Sequence, residues 1–156
     1  MSGRTDRASK TIHASAAAIY KALIDPDALV QWLPPKGMTG RIESFDLRQE
    51  GGYRMSLIYA DPDLAQSGKT EANLDVVDVV FAKIVPDREI VEIVTFKSDD
   101  PTFAGAMTMT WTLTSNNDST EISIIAEDVP QGISESDHID GLNASLDNLT
   151  RFVARA

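Results

Sequence analysis

The sequence predicts an α+β fold in which an antiparallel sheet of about six or seven strands packs one face against a long C-terminal helix. A two-residue alternation of apolar and polar side chains dominates residues 40–128, and apolar residues then recur at helical spacing after Ser134. The chain has 156 residues, 42% of them hydrophobic, and no cysteine. That length and composition are typical of one globular domain, so we expect residues 1–156 to form a single unit.

The N-terminal part of the sequence predicts one strand followed by two short helices. The strand is expected near residues 9–13, and Ser15 then offers an N-cap to a run of good helix formers. Asp25 is suited to cap a second helix because Pro26 is tolerated at a first helical position. This second helix is expected over residues 27–33 and to end at Pro34-Pro35.

The middle of the chain predicts consecutive strands. Residues 107–113 alternate large apolar side chains with threonines, and residues 53–59 alternate in the same way. Residues 76–85 and 89–97 are expected to form a hairpin around Pro86-Asp87-Arg88, since proline restricts φ and aspartate accepts local backbone hydrogen bonds. A further strand should follow a turn at residues 116–119.

The last element is predicted to be a helix of about five turns that begins after Ser134. Its apolar residues recur every three or four positions: Ile139, Leu142, Leu146, Leu149 and Val153. Such a stripe must be covered, and the apolar face of the sheet is the surface large enough to cover it.

The charge distribution excludes some classes of partner. The net charge is −10, with eight basic and six acidic residues in 1–60 but six basic and eighteen acidic residues in 61–156. Nucleic acids and anionic membranes require a basic surface, so we expect neither as a partner. We expect a cytoplasmic protein, since there is no signal-like or membrane-spanning apolar segment. The oligomeric state stays open, with a homodimer as one option.

An excess of large, adaptable apolar side chains is the main indication of a ligand site. Buried tyrosine and tryptophan need polar partners, and methionine fills irregular space without specifying it well. Each such side chain also fits ordinary core packing, but together they suggest an apolar pocket between the last helix and the sheet. The candidate ligand-binding residues are Trp32, Met38, Tyr53, Met55, Tyr59, Phe81, Met109, Trp111, His138 and Leu142.

His138, the tyrosines and unplaced carboxylates are the candidates for titratable chemistry. His138 lies in the first turn of the last helix among acidic residues that suit the helix dipole, so it is either solvated or placed at the mouth of the cavity. No nucleophile, base and orienting group can be assembled from the sequence, so no catalytic residue is predicted. A metal site would lack cysteine ligands, and we expect no metal and no cofactor.

Five strings of residues follow one another along nearly the whole chain: 28–38 with Gln31-Trp32-Leu33-Pro34-Pro35, 45–55 with Gly51-Gly52-Tyr53-Arg54-Met55, 84–91 with Val85-Pro86-Asp87-Arg88, 99–105, and 129–134. They resemble the branch of the START and birch-pollen-allergen (SRPBCC) superfamily named for activators of the heat-shock protein 90 ATPase. Two positions depart from that pattern. Glu50 stands where a glycine is usual, and Lys83 stands where an acidic residue is common.

The resemblance implies the helix-grip fold, in which a curved sheet wraps around a long C-terminal helix. It also implies a small apolar or aromatic ligand in an internal cavity, and this is the leading functional hypothesis. A polyketide-cyclase-like enzyme that uses the same cavity is the first alternative. The second is a regulator that acts on a chaperone, which is the least expected because only a short segment precedes the first predicted strand.

Overall fold

The computed structural model describes residues 3–34, 37–59 and 74–155. The elements are β1 (Arg4–Ile12), α1 (Ala16–Ile24), α2 (Pro26–Trp32), β2 (Met38–Asp46), β3 (Gly52–Tyr59), β4 (Leu74–Val85), β5 (Glu89–Lys97), β6 (Ala106–Asn116), β7 (Ser119–Val129) and α3 (Glu135–Arg155). Pro101–Phe103 forms a 3₁₀ turn that precedes β6. The predicted α+β helix-grip fold is confirmed.

The strands form one antiparallel sheet of seven in the order β1-β7-β6-β5-β4-β3-β2. Consecutive strands are neighbours from β2 to β7. Strand β1 is the exception because it pairs with β7, the last strand, and so lies at the edge of the sheet opposite to β2. The two short helices therefore cross from one edge of the sheet to the other.

The inner face of the sheet is set by the predicted alternation. On β6, Met107, Trp111 and Leu113 are buried, whereas the intervening threonines are partly exposed. Trp111 pairs with Ile90 of β5, so both side chains point to the same side. This face carries the hydrophobic core.

Helix α3 covers the core with the predicted stripe. Leu146 and Leu149 are completely buried, and Leu142 and Val153 are nearly so. The helix packs against β1, α1 and α2. Its apolar face belongs to the same cluster of buried residues as Met107 and Trp111.

Helices α1 and α2 begin at side-chain caps and are joined by a buried indole. Ser15 Oγ accepts a hydrogen bond from the Ala18 amide at 3.1 Å, and Asp25 accepts one from the Asp27 amide at 2.9 Å. Trp32, only 1% exposed, donates its Nε1–H to the Ala22 carbonyl at 3.0 Å. The bond places the Trp32 ring under both helices.

Two edges of the sheet differ from the expectations. Strand β1 begins at Arg4, well before residue 9, because pairing with β7 orders a segment that has no apolar alternation of its own. Strand β2 was not specified at all. A register shift between Glu43 and Asp46, with Ser44 at φ 57°, interrupts its alternation. The second helix ends at Trp32, and Pro35 lies outside the described residues.

The segment before β3 holds the strand tightly against β4. The Glu50 amide donates to the Phe81 carbonyl at 2.7 Å, and the Phe81 amide donates to the Gly51 carbonyl at 2.9 Å. A Cβ at Gly52 would lie 1.9 Å from the Val79 carbonyl oxygen, so only glycine fits there. This close approach fixes the positions of Phe81 and Tyr53 on the inner face.

Candidate functional site

A buried carboxyl group lies on the inner face of the sheet. Glu92 of β5 is 8% exposed and stands between Ile90 and Val94, which are 2% and 4% exposed. Its direct partners on the neighbouring strands are Phe81 and Met109. An acidic side chain is therefore enclosed by apolar and aromatic groups, an arrangement that is rare unless the acid has a role.

The Glu92 carboxyl is held by one hydrogen bond. Trp111 Nε1 donates to Glu92 Oε1 at 2.9 Å, and no other donor to this carboxyl is recorded among residues 3–34, 37–59 and 74–155. Burial raises the pKa of Glu92 to about 7, and the indole hydrogen bond partly opposes that rise. The group can therefore take up or release a proton near neutral pH.

Aromatic side chains surround the carboxyl. Trp32 and Trp111 meet edge to face, with ring centroids 6.0 Å apart and planes at 80°. Tyr53 is 7% exposed, and its pKa lies well above the usual value because of burial first and the nearby Glu92 charge second. Tyr53 also stacks on Phe45 at 5.4 Å and lies 5.9 Å from Phe81.

These groups enclose a small void under α1 and α2. It is lined by Leu23, Leu29, Trp32, Leu33, Tyr53, Ile90, Glu92 and Trp111, and its volume is about 10 Å³. That is roughly the space of one water molecule, whereas ligand pockets usually measure about 300–1,000 Å³. Side chains thus fill the interior around Glu92.

This void does not lie where the cavity was expected. A cavity between the C-terminal helix and the sheet was predicted, but the described void lies between the sheet and the two short helices. Leu146 and Leu149 of α3 are fully buried, so no water-sized space borders these two side chains. Leu142 is likewise a core residue, 6% exposed, and does not line the void.

The structure brings only part of the predicted site together. Trp32, Tyr53 and Trp111 line the void. Met55 and Phe81 are buried next to Tyr53 on the inner face, and Met109 is half-buried opposite Glu92. None of these last three lines the void.

Two predicted residues lie at the other end of β3. Tyr59 pairs with Met38 of the edge strand β2. The Tyr59 hydroxyl donates to Asp75 Oδ2 at 3.3 Å, and the pKa of Tyr59 is raised to about 12 by burial and then by the Asp75 charge. Neither Tyr59 nor Met38 lines the void.

His138 takes part in a separate polar cluster that joins α3 to β1. Its Nδ1 lies 2.7 Å from Oδ2 of Asp6, whose side chain is fully buried. Arg4 donates to both Asp6 oxygens at 2.8 and 2.9 Å, and to the Ile133 carbonyl at 2.7 Å. Burial raises the pKa of Asp6, but the hydrogen bonds from Arg4 and His138 outweigh burial, so the pKa falls below its usual value. His138 is therefore neither solvated nor at the void.

A larger depression of about 1,030 Å³ lies beside the N-terminus of α1 and the β4–β5 turn. It is an open groove, and two of its charged residues, Lys83 and Glu89, form an ion pair at 2.8 Å. Both of these side chains are accessible to solvent. The groove therefore lacks the buried polar group that marks the Glu92 site.

Glu92 was missed by the sequence analysis, although a signal was present. Ile90, Glu92 and Val94 share one face of a strand by the two-residue period, so an acid on the apolar face could have been noticed. Leu23, Leu29, Leu33 and Ile90 were also missed as lining residues. Nothing in their local pattern distinguishes them from other core residues.

Two features are absent from the part of the chain that the structure describes. No helix there is both long and apolar enough to cross a membrane. No three acidic, histidine or cysteine side chains there come close enough to hold a metal ion.

Comparison with known proteins places the chain in a wider group. A model of the family described as "Activator of Hsp90 ATPase homolog 1-like protein" matches residues 13–154. No curated protein matches the chain. The solved structure of a protein from Chromobacterium violaceum is 27% identical and similar over 96% of both chains, with a TM-score of 0.84.

Two more distant structures share the fold. A protein from Arthrobacter aurescens is 12% identical, with a TM-score of 0.81 over 100% of this chain and 92% of that chain. DynU16, a protein in the dynemicin biosynthetic locus, is 16% identical, with a TM-score of 0.68. The similarity covers 96% of this chain but only 47% of DynU16.

Proposed function

The chain belongs to the family of Activator of Hsp90 ATPase homolog 1-like proteins, a branch of the START/SRPBCC superfamily, and on that premise we propose that it binds a small apolar or aromatic molecule around Glu92. The binding site is the inner face of the sheet beneath α1 and α2. The protein acts as one helix-grip domain in the cytoplasm and needs no nucleic acid or membrane.

The observation that carries this proposal is the enclosure of Glu92 by Trp32, Tyr53 and Trp111. A carboxyl group removed from water destabilises a fold unless partners compensate for its lost hydration. A leucine or methionine at this position would satisfy packing with no such cost. An acid at this position is therefore best explained by an interaction with a ligand.

The void is small, so a ligand must displace side chains that now fill the space. Leu33 at the end of α2 is only half-buried, and α2 itself has just seven residues. Met55 is buried on the inner face and Met109 pairs with Glu92, and methionine side chains repack readily around new shapes. Burial of ~200 Å² of apolar ligand surface contributes about 5 kcal/mol before the cost of association.

A thermal-shift screen of aromatic and acyl compounds tests this proposal. Trp111→Ala should abolish the shift produced by a ligand because it removes one wall of the site and the donor to Glu92. His138→Ala is the control and should keep the shift, because His138 contacts Asp6 away from the void. A shift that survives Trp111→Ala but not His138→Ala would place the ligand elsewhere and refute the site.

Polyketide-cyclase-like catalysis is a second candidate, favoured by the pKa of Glu92 at about 7. An acid poised near neutral pH suits proton transfer to or from a bound substrate. Compounds that bind in the screen can be incubated with the protein and followed by mass spectrometry. Conversion that disappears in Glu92→Gln while binding remains would favour the enzyme over a binding protein.

A further inference from the structure

We propose that the ligand is a hydrophobic amine whose ammonium group is bound between the Glu92 carboxylate and the rings of Trp32, Tyr53 and Trp111. This inference rests on the proposed function and names the ligand class for the same site. It follows from the unmatched acid, the aromatic surroundings, the size of the void and the charge of the protein.

The Glu92 carboxylate lacks a cationic partner. Within residues 3–34, 37–59 and 74–155, no lysine, arginine or histidine forms an ion pair with it, although Asp6, Asp78 and Asp147 each have one. The hydrogen bond that it accepts comes from the neutral Trp111 indole. An incoming ammonium would supply the missing counter-charge inside an enclosure where charge-assisted hydrogen bonds are strong.

The aromatic lining favours the same charge. The faces of tryptophan and tyrosine rings carry partial negative charge and attract cations, with tryptophan the strongest. Trp32 and Trp111 are set at 80° to each other, and Tyr53 lines the same void. A carboxylate ligand would instead meet a like charge at Glu92.

The size of the void fits the head group and not the whole ligand. A volume of about 10 Å³ is roughly that of one water molecule, and an ammonium group is similar in size. The hydrocarbon part must then displace Leu33, the half-buried lining residue at the end of α2. The net charge of −10 adds a long-range attraction for cations.

Three compounds with one carbon skeleton test the inference: phenylbutylamine, phenylbutanol and phenylbutyrate. We expect titration calorimetry at pH 8 to show the amine binding at least ~10-fold more tightly than the alcohol, as one charge-assisted hydrogen bond implies, and the acid most weakly. Glu92→Gln keeps the size of the side chain and should remove the advantage of the amine. Glu121→Gln, at an exposed position of β7, is the matched control and should leave all three affinities unchanged.

The wild-type protein provides a second readout that needs no variant. The amine stays charged, so its affinity should fall as Glu92 becomes protonated below pH about 7, approaching ~10-fold for each pH unit. The affinity of the alcohol should not follow this profile. This measurement decides the matter even if Glu92→Gln fails to fold.

Each contrary result has a definite meaning. Alcohol binding as tight as amine binding, with both unaffected by Glu92→Gln, would overturn the amine inference and leave the proposed binding function standing. Amine binding that persists in Glu92→Gln with no pH dependence would reveal surface adsorption and also overturn it. Failure of all three compounds to bind would reject the amine inference, while the wider ligand screen separately decides the proposed function.

Discussion

Trp111 donates its indole N–H to Glu92 across 2.9 Å although the two residues are not direct partners in the sheet. Trp111 pairs with Ile90, and Glu92 pairs with Met109, so the hydrogen bond runs diagonally between β5 and β6. A diagonal neighbour is within reach of a side chain as long as tryptophan. This bond and burial act in opposite directions on the pKa of Glu92, which ties the stability of the fold to pH.

Glu92→Gln should make the protein more stable at alkaline pH. The pKa of Glu92 is about 7 in the fold against 4.5 for an ordinary glutamate, so the folded state holds its proton more tightly than the unfolded chain. That preference contributes stability below pH 4.5 that is lost as pH rises through about 7. The loss is about 3 kcal/mol, at ~1.4 kcal/mol for each pKa unit.

Urea unfolding of the wild type and of Glu92→Gln at pH 4.5, 6 and 8 measures this linkage. From the lowest to the highest of these pH values, the free energy of unfolding of the variant should rise by about 3 kcal/mol relative to that of the wild type. Comparison of the two proteins cancels the titration of other groups such as Asp6. A difference independent of pH would mean that Glu92 does not titrate inside the fold.

Trp111→Phe should raise the pKa of Glu92 further, because it removes the hydrogen bond that favours the charged carboxylate. The carboxyl carbon shift of Glu92, followed by NMR against pH, reports this change directly. Trp32→Phe is the matched control, since the Trp32 indole donates to the Ala22 carbonyl instead. Equal effects of the two substitutions would indicate that ring size, and not the hydrogen bond, sets the titration.

His138→Ala should destabilise the fold without altering the Glu92 site. The substitution removes one of the partners of the buried Asp6 carboxylate, at a cost of about 1–3 kcal/mol in the free energy of unfolding. Because the pKa of Asp6 is lowered in the fold, the stability it contributes is lost as pH falls through that pKa. Urea unfolding at neutral pH measures this cost. An unchanged unfolding curve would mean that Arg4 alone stabilises the Asp6 carboxylate.

Glu50→Gly should stabilise the protein by about 1 kcal/mol, since Glu50 has φ 70°, a conformation that glycine adopts without strain. Gly52→Ala should act in the opposite direction and cost more than ~2 kcal/mol, because its Cβ would collide with the Val79 carbonyl oxygen. Thermal unfolding of both variants measures the contrast. An increase in the stability of Gly52→Ala would show that the backbones of β3 and β4 leave room for a Cβ at this position.

Leu146→Ala should cost about 2–5 kcal/mol in the free energy of unfolding, because Leu146 lies on the inner face of α3 and is completely buried. Ala144→Gly on the same helix controls for helix propensity, which accounts for only about 1 kcal/mol. Urea unfolding gives both values. A cost below ~1 kcal/mol for Leu146→Ala would argue that this residue borders open space, contrary to the packing of α3.

The sequence by itself determined the order of most elements and the inner face of the sheet. The alternation along β6 and the spacing of Leu142, Leu146 and Leu149 are local patterns, and each reports the side of an element that must leave water. Hairpin β4–β5 was predicted almost to the residue, because the turn at Pro86-Asp87-Arg88 depends on neighbouring residues alone.

Tertiary structure alone decided the early start of β1, the bulged strand β2 and the partners of His138 and Glu92. Arg4 and Asp6 lack an apolar alternation and are ordered by β7 and by His138, more than a hundred residues away. The sequence marks Glu92 only as an acid on an apolar strand face, and its enclosure depends on Trp111 from another strand and on Trp32 from α2. Burial and electrostatics depend on everything that surrounds a group in space, so a pattern of near neighbours in the chain cannot reveal them.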